Sequence, residues 1–254
     1  MHQFNEKIKK ELIAVLEPVD SIIAAWEGGS IATGFDDDYS DLDLGVMATD
    51  GNTENVFVII DKFLEEHYGI SHSIRMPEPT WHGMSQCFYF INGAPEFYYI
   101  DLGVMHESIP DKFMEEPRHG TAIVWFDKKG VVQAEALKDE NYREKRIAMY
   151  KRIALHMPLI RVEFFKNAKR GRLLEAYDGY SQMMTVMIGL MNLKYRPEKF
   201  DFRSRYIYRD YPADEVSVIS SLVLPQNFET LKLNGIYIEK RIKELLQELK
   251  PIYG

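Results

Sequence analysis

Apolar and polar positions alternate with two different periods along the first 130 residues. Ile8, Leu12, Ile13 and Leu16 fall at helical spacing and Pro18 closes the run, which predicts a helix over 6–16. Residues 21–26 form a short apolar run that stops at Gly28-Gly29, the pattern of a buried strand. Asp41-Leu42-Asp43-Leu44-Gly45-Val46 alternates with period two. It predicts a strand with Asp41 and Asp43 on one face and Leu42, Leu44 and Val46 on the other. Val56, Phe57, Ile60, Phe63 and Leu64 predict a helix over 53–68, with Thr53 as its N-cap and Gly69 as its stop. A strand is expected over 70–76. The aromatic-rich runs 85–91 and 96–104 flank Asn92-Gly93 and predict an antiparallel hairpin. Residues 122–126 make one more strand, closed by Lys128-Lys129-Gly130.

From about residue 135 the period lengthens to 3.6. Helices are predicted over 139–157, 159–170, 172–194, 213–223 and 227–249, punctuated by Pro158, Gly171, Pro197, Pro212 and Pro225. The expected fold class is α+β: a mixed-sheet domain over 1–132 followed by an α-helical bundle over 133–254. No internal repeat and no low-complexity tract is expected.

Composition narrows the function classes. The 254 residues are 46% hydrophobic, ample for a core, and the single cysteine, Cys87, excludes an internal disulfide and a Cys-based zinc site. The longest apolar stretch, 183–193, contains Thr185, Gly189 and Asn192 and falls short of the roughly 20 residues a bilayer span needs. Residues 1–6 lack a basic and an apolar leader region, so a cytoplasmic location without membrane partners is the expectation. The net charge of −8 argues against a general nucleic-acid binder. It is unevenly spread: residues 1–130 hold 9 basic and 23 acidic side chains, a balance of −14, and the remainder holds 22 and 16, a balance of +6. Such a concentration of carboxylates calls for a cation to neutralise it.

The chemistry concentrates in residues 28–44. Gly28-Gly29-Ser30 after a buried strand lets backbone amides approach phosphate oxygens, and the serine hydroxyl adds a donor. Asp41 and Asp43, two apart on a strand, place two carboxylates on one face about 7 Å apart at the backbone. Mg²⁺ is commonly held by one or two carboxylates together with substrate phosphates. A phosphate cradle beside a carboxylate pair outlines a site for a nucleoside triphosphate.

Gly29-Ser30, ten intervening residues and Asp41-Leu42-Asp43-Leu44 resemble the signature of the DNA polymerase beta-type nucleotidyltransferase superfamily. The family supplies a third carboxylate from a later strand, and Asp101, alone within the apolar run 97–104, fills that place. An isolated buried charge costs several kcal/mol unless it is paired or metal-bound. The helical half, with 191–200 reading Met-Asn-Leu-Lys-Tyr-Arg-Pro-Glu-Lys-Phe, looks like the substrate domain of small-molecule nucleotidyltransferases of the aminoglycoside and lincosamide antibiotic kind. The resemblance implies transfer of a nucleoside monophosphate from an NTP to an acceptor hydroxyl, with release of pyrophosphate. It implies two Mg²⁺ ions held by Asp41, Asp43 and Asp101. Asp101 also takes the acceptor proton in that scheme, and Gly28, Gly29 and Ser30 hold the phosphates. The positive balance of the second half disfavours a polycationic acceptor. Other readings of the same resemblance are nucleotidyl modification of a protein or RNA, and a catalytically silent nucleotide-binding module. The oligomeric state, the base and the acceptor are left open.

Other signals read as structural. An EF-hand starting at Asp36 needs Gly at position six and Glu at twelve, where the chain has Asp41 and Met47, so Asp36-Asp37-Asp38 is expected to be a solvated loop. His67, His72, His82, His106, His119 and His156 lack metal spacing and are expected to be surface or satisfied core residues. Met183, Met184, Met187 and Met191 lie at helical spacing, as core does. The basic run Arg143, Lys145, Arg146, Lys151, Arg152 is expected to be a solvated helix face.

Overall fold

Six strands form one mixed sheet in the computed structural model, which describes residues 2–80, 82–110 and 112–254. They are β1 (Ile22–Glu27), β2 (Leu42–Ala48), β3 (Ile70–Arg75), β4 (Ser85–Ile91), β5 (Ile100–His106) and β6 (Ile123–Asp127), in the spatial order β3-β4-β5-β2-β1-β6. Only β2 and β5 are parallel; the other neighbours are antiparallel. A parallel pair needs a crossover, supplied in part by α3 (Thr53–His67). The fold is α+β.

The alternation in β2 and β5 decides which sheet face is apolar. Leu42, Leu44, Val46, Ile100, Leu102 and Val104 bury against Ile8, Leu12 and Leu16 of α1 (His2–Leu16) and Val56, Phe57, Ile60 and Leu64 of α3. Asp43, Gly45 and Met47 turn to the other face with Asp101, Gly103 and Met105. A smaller cluster of Ile23, Trp26, Met47, Met105, Ile109 and Met114 closes part of that face.

Asp-Leu-Gly-Val-Met occurs twice, at 43–47 and 101–105. The parallel ladder pairs the copies residue for residue, Asp43 with Asp101 through Met47 with Met105. The expectation of no internal repeat is therefore corrected at this scale: two identical pentapeptides form the centre of the sheet.

The chain divides into two compact units, one ending at Leu137 and one running from Lys138 to Gly254. The second is helical, with α5 (Asp139–Lys169), α6 (Leu173–Tyr195), α8 (Ala213–Val223) and α9 (Phe228–Tyr253) as its long elements. The fully buried Phe164 of α5 lies against Gly179 of α6 and Gly235 of α9. A methyl group at Gly235 would fall 2.2 Å from the Phe164 ring, so the absent side chain sets how closely the helices approach. Arg196, 1% exposed, ties down the segment after α6. Its guanidinium donates to Asn192 Oδ1 at 2.7 Å, to the Arg203 carbonyl at 2.7 Å and to Asp210 Oδ2 at 3.2 Å.

Several boundaries differ from expectation. Pro158 does not divide α5, because it and Ala154, whose carbonyl loses its hydrogen bond, are both exposed to water, while Ile153, Met157 and Phe164 hold the buried face on either side. Asn52, not Thr53, occupies the N-cap position of α3, and its amide donates to Thr49 Oγ1. The second hairpin strand begins at Ile100 rather than residue 96, after a longer connection in which Gly93 has φ +71°. Among the described residues no helix is long and apolar enough to cross a membrane.

Candidate functional site

β1 delivers the chain to Gly28, whose N–H donates to the Asp43 carbonyl at 2.8 Å and fastens the turn to β2. What was expected as a Gly-Gly-Ser turn is the start of a one-turn helix, α2 (Gly29–Ala32). Gly29 has φ +60°, and a Cβ there would fall 1.5 Å from Asp43 Oδ2. Glycine is thus required twice, for the left-handed backbone and for the contact with the carboxylate. With the Gly28 amide engaged, the first N–H groups of the helix are those of Gly29, Ser30 and Ile31.

Asp43 and Asp101 are register partners on neighbouring parallel strands. Asp41 lies one residue before β2, where the Leu42 N–H donates to the Tyr99 carbonyl. The Tyr99 phenol lies beside Asp41; burial first, then the carboxylates of Asp41, Asp43 and Asp101, push its ionisation well above the ordinary value. The three sequence-predicted carboxylates are thus brought together around one phenol.

Burial raises the Asp101 carboxyl above its usual range, and the neighbouring Asp41 charge adds to that, while a hydrogen bond from Gln86 acts against it. Gln86 Nε2 donates to Asp101 Oδ1 at 2.7 Å. Gln86 Oε1 in turn lies 3.1 Å from His82 Nε2, and the Met84 N–H donates to His82 Nδ1 at 3.1 Å. Neither Gln86 nor this role for His82 was visible in the sequence, because the chain of bonds exists only once β4 lies beside β5. The alternation along β4, with Phe88 paired to Asp101 and Gln86 to Gly103, was the one available signal.

An acidic cleft of about 360 Å³ adjoins Asp41. Ser30, Asn5, Glu6, Glu27, Asp36, Asp37 and Asp38 are among the residues lining it. Asp36–Asp38 are exposed, as expected, yet they face this cleft, and Asp37 also shapes the loop by accepting from the Tyr39 N–H at 2.9 Å. Glu27, 4% exposed, accepts from Lys9 at 3.3 Å and from the Trp125 indole at 3.4 Å. Asn5 Oδ1 is buried with no hydrogen-bond partner among the described residues.

No group of three His, Cys, Asp or Glu among the described residues is arranged to hold a metal unaided. Mg²⁺ does not require one, since it keeps waters and shares substrate phosphates with one or two carboxylates. An oxygen-only donor set, like-charge pressure on Asp101 and an orphaned carbonyl oxygen in an acidic cleft fit a hard cation arriving with a polyphosphate. His106 pairs with Asp50 and Ser108 on the exterior.

No family model and no curated protein matches the chain. Among solved structures it is similar to an aminoglycoside 6-adenyltransferase from Bacillus subtilis, at 13% identity over 94% of this chain and 90% of that one, with a TM-score of 0.34. It is also similar to a nucleotidyltransferase-like protein from Exiguobacterium sibiricum, at 12% identity over 98% and 75%, with a TM-score of 0.37. A spectinomycin adenyltransferase from Enterococcus faecialis, solved with ATP and spectinomycin, is 15% identical over 96% and 99%, with a TM-score of 0.32.

Proposed function

We propose that the protein is a nucleotidyltransferase that moves a nucleoside monophosphate from an NTP to a hydroxyl of a small molecule. The observation that carries this reading is the in-register pairing of Asp43 with Asp101, with Asp41 alongside and Gly29 packed onto Asp43. Asp41 and Asp43 hold Mg²⁺ with the triphosphate, and Asp101 completes the set. The metal, when bound, neutralises phosphate charge and polarises the reacting oxygens. The amides of Gly29 and Ser30 and the Ser30 hydroxyl hold the outer phosphates, and Gly28 keeps their turn anchored to β2. The acceptor oxygen forms a bond to the α-phosphorus, the bond to the β-phosphate bridging oxygen breaks, pyrophosphate leaves with that electron pair, and the acceptor proton passes to Asp101. A carboxyl held above its usual range by burial is better matched to taking that proton.

The acceptor side is framed by β4. Phe88 and Phe90 share the sheet face of Asp101, and the Tyr99 ring lies 6.0 Å from Phe88 and 5.8 Å from Phe90. A half-buried aromatic wall beside the reacting carboxyl favours a flat or apolar acceptor body over a polycation. The test is to incubate the protein with each NTP, Mg²⁺ and a panel of hydroxylated small molecules, antibiotics included, with RNAs in parallel. Mass spectrometry should find a small acceptor gaining a nucleoside monophosphate as pyrophosphate appears. Metal-dependent NTP binding without transfer to any acceptor would favour a silent nucleotide-binding module, and transfer confined to RNA would move the acceptor class.

A further inference from the structure

The Met84 amide sets the direction of the hydrogen-bond chain that ends on Asp101. A backbone N–H can only donate, so the Met84 amide makes His82 Nδ1 an acceptor. The neutral ring then carries its proton on Nε2, which faces Gln86 Oε1 at 3.1 Å. That fixes the amide with its NH₂ toward Asp101, at 2.7 Å from Oδ1. At the far end an ionised carboxylate can only accept, so both ends impose the same polarity. The Thr80 hydroxyl sits at the start of the chain, 2.6 Å from the Met84 carbonyl, to which it donates, and 3.2 Å from His82 Nδ1.

We propose that Gln86 and His82 are positioning residues for nucleotidyl transfer: His82 locks the Gln86 amide, and Gln86 pins Asp101 Oδ1 so that Oδ2 faces the acceptor hydroxyl. This rests on the nucleotidyltransferase reading. A carboxylate with one oxygen pinned presents the other in a single orientation, and preorganisation of that kind lowers the barrier without tightening ground-state binding. His82 reaches Asp101 through Gln86, so its positioning effect should vanish once Gln86 is lost.

The test combines Gln86→Met, which keeps the side-chain length but removes the donor, with His82→Phe and the double variant. Gln86→Met should lower kcat about 10- to 100-fold, the usual range for removing a partner that orients a reacting group, with the KM for NTP and the melting temperature little changed. His82→Phe should give a smaller loss, and the double variant should match Gln86→Met alone. Gln86→Asn, which keeps an amide, should recover part of the rate. In the unloaded protein, ¹⁵N shifts of the His82 ring should report the Nε2–H tautomer. Additive losses in the double variant, an unchanged kcat in Gln86→Met, or an Nδ1–H tautomer would each overturn the assignment. Absence of transfer by the unsubstituted protein would instead sink the nucleotidyltransferase reading, and the tautomer measurement would still judge the hydrogen-bond chain.

Discussion

Asp43 and Asp101 stand side by side on parallel strands, register partners about 4.8 Å apart at the backbone, with their carboxylates on one face of the sheet. Two like charges at that spacing are a liability for the unloaded protein and, under the proposed function, would become an asset when a divalent cation shares them. Asp101→Asn removes the charge that burial disfavours, yet keeps an oxygen for the Gln86 donor. Transfer activity should fall about a thousandfold or more, while stability rises by about 1 kcal/mol. Pyrophosphate release and thermal melting measure the two effects. A melting point that drops along with activity would mean that Asp101 serves the fold.

Asp41→Asn should nearly abolish turnover at saturating Mg²⁺ with an unchanged circular dichroism spectrum. Retained transfer would sink the assignment of Asp41 to the metal.

The two glycines at the turn after β1 should respond differently. Gly29→Ala forces a side chain into left-handed backbone, at a cost of about 1–2 kcal/mol, and drives its methyl into the Asp43 carboxylate. Activity and stability should both fall. Gly28 has φ −107°, and a Cβ there would be 3.9 Å from the nearest atom, so Gly28→Ala should fold normally. Comparing the two by nucleotide-binding calorimetry and thermal melting separates the packing of Asp43 from loss of flexibility.

The twin pentapeptides allow a matched comparison. At Gly45 a Cβ would fall 2.3 Å from the buried Trp26 ring, and Gly45→Ala should cost about 2 kcal/mol or more. Among the described residues its partner Gly103 faces only the flexible Met84 side chain, at 3.4 Å, so Gly103→Ala should be neutral or stabilise by about 0.5 kcal/mol. Chemical denaturation of both variants decides the point, and equal losses would contradict it.

Period and punctuation made most of the architecture legible. The alternation at 41–46 placed Leu42, Leu44 and Val46 on the face that α1 and α3 cover, and α8 begins and ends where its apolar spacing does. Elements of about one turn, such as α2 and α4 (Glu116–His119), are too short to show a period. Pro158 misled because a proline ends a helix only when nothing else holds the turns together, and here buried residues on both sides do. At the candidate site Asp41, Asp43 and Asp101 could be singled out from spacing and context. Gln86 and His82 could not, because a neutral amide gains its meaning from which carboxylate the sheet sets beside it.

The second unit should show a pH response of its own. Burial alone would raise the Asp210 carboxyl, but Arg209, Lys199 and Arg196 outweigh it and hold the group below its usual value. A carboxyl lowered in the folded state adds stability that is complete above its unfolded value near 3.9 and is lost as pH falls through the lower folded value. Asp210→Asn should therefore cost roughly 3 kcal/mol at neutral pH, since it strands the buried Arg196 charge. The deficit should shrink below about pH 4. Urea unfolding at pH 7 and pH 3 checks both the size and the sign.

The paired pentapeptides also set a schedule. Asp43 meets Asp101 only after 57 intervening residues have been made and the crossover has closed, and contacts between such distant segments form late because the loop must be ordered first. No nascent chain that ends before Ile100 can carry a working centre, however well its first helix and strands have settled. If the proposed transfer holds, competence for it requires the central ladder of the sheet, and the rate recovered after refolding would report on that ladder.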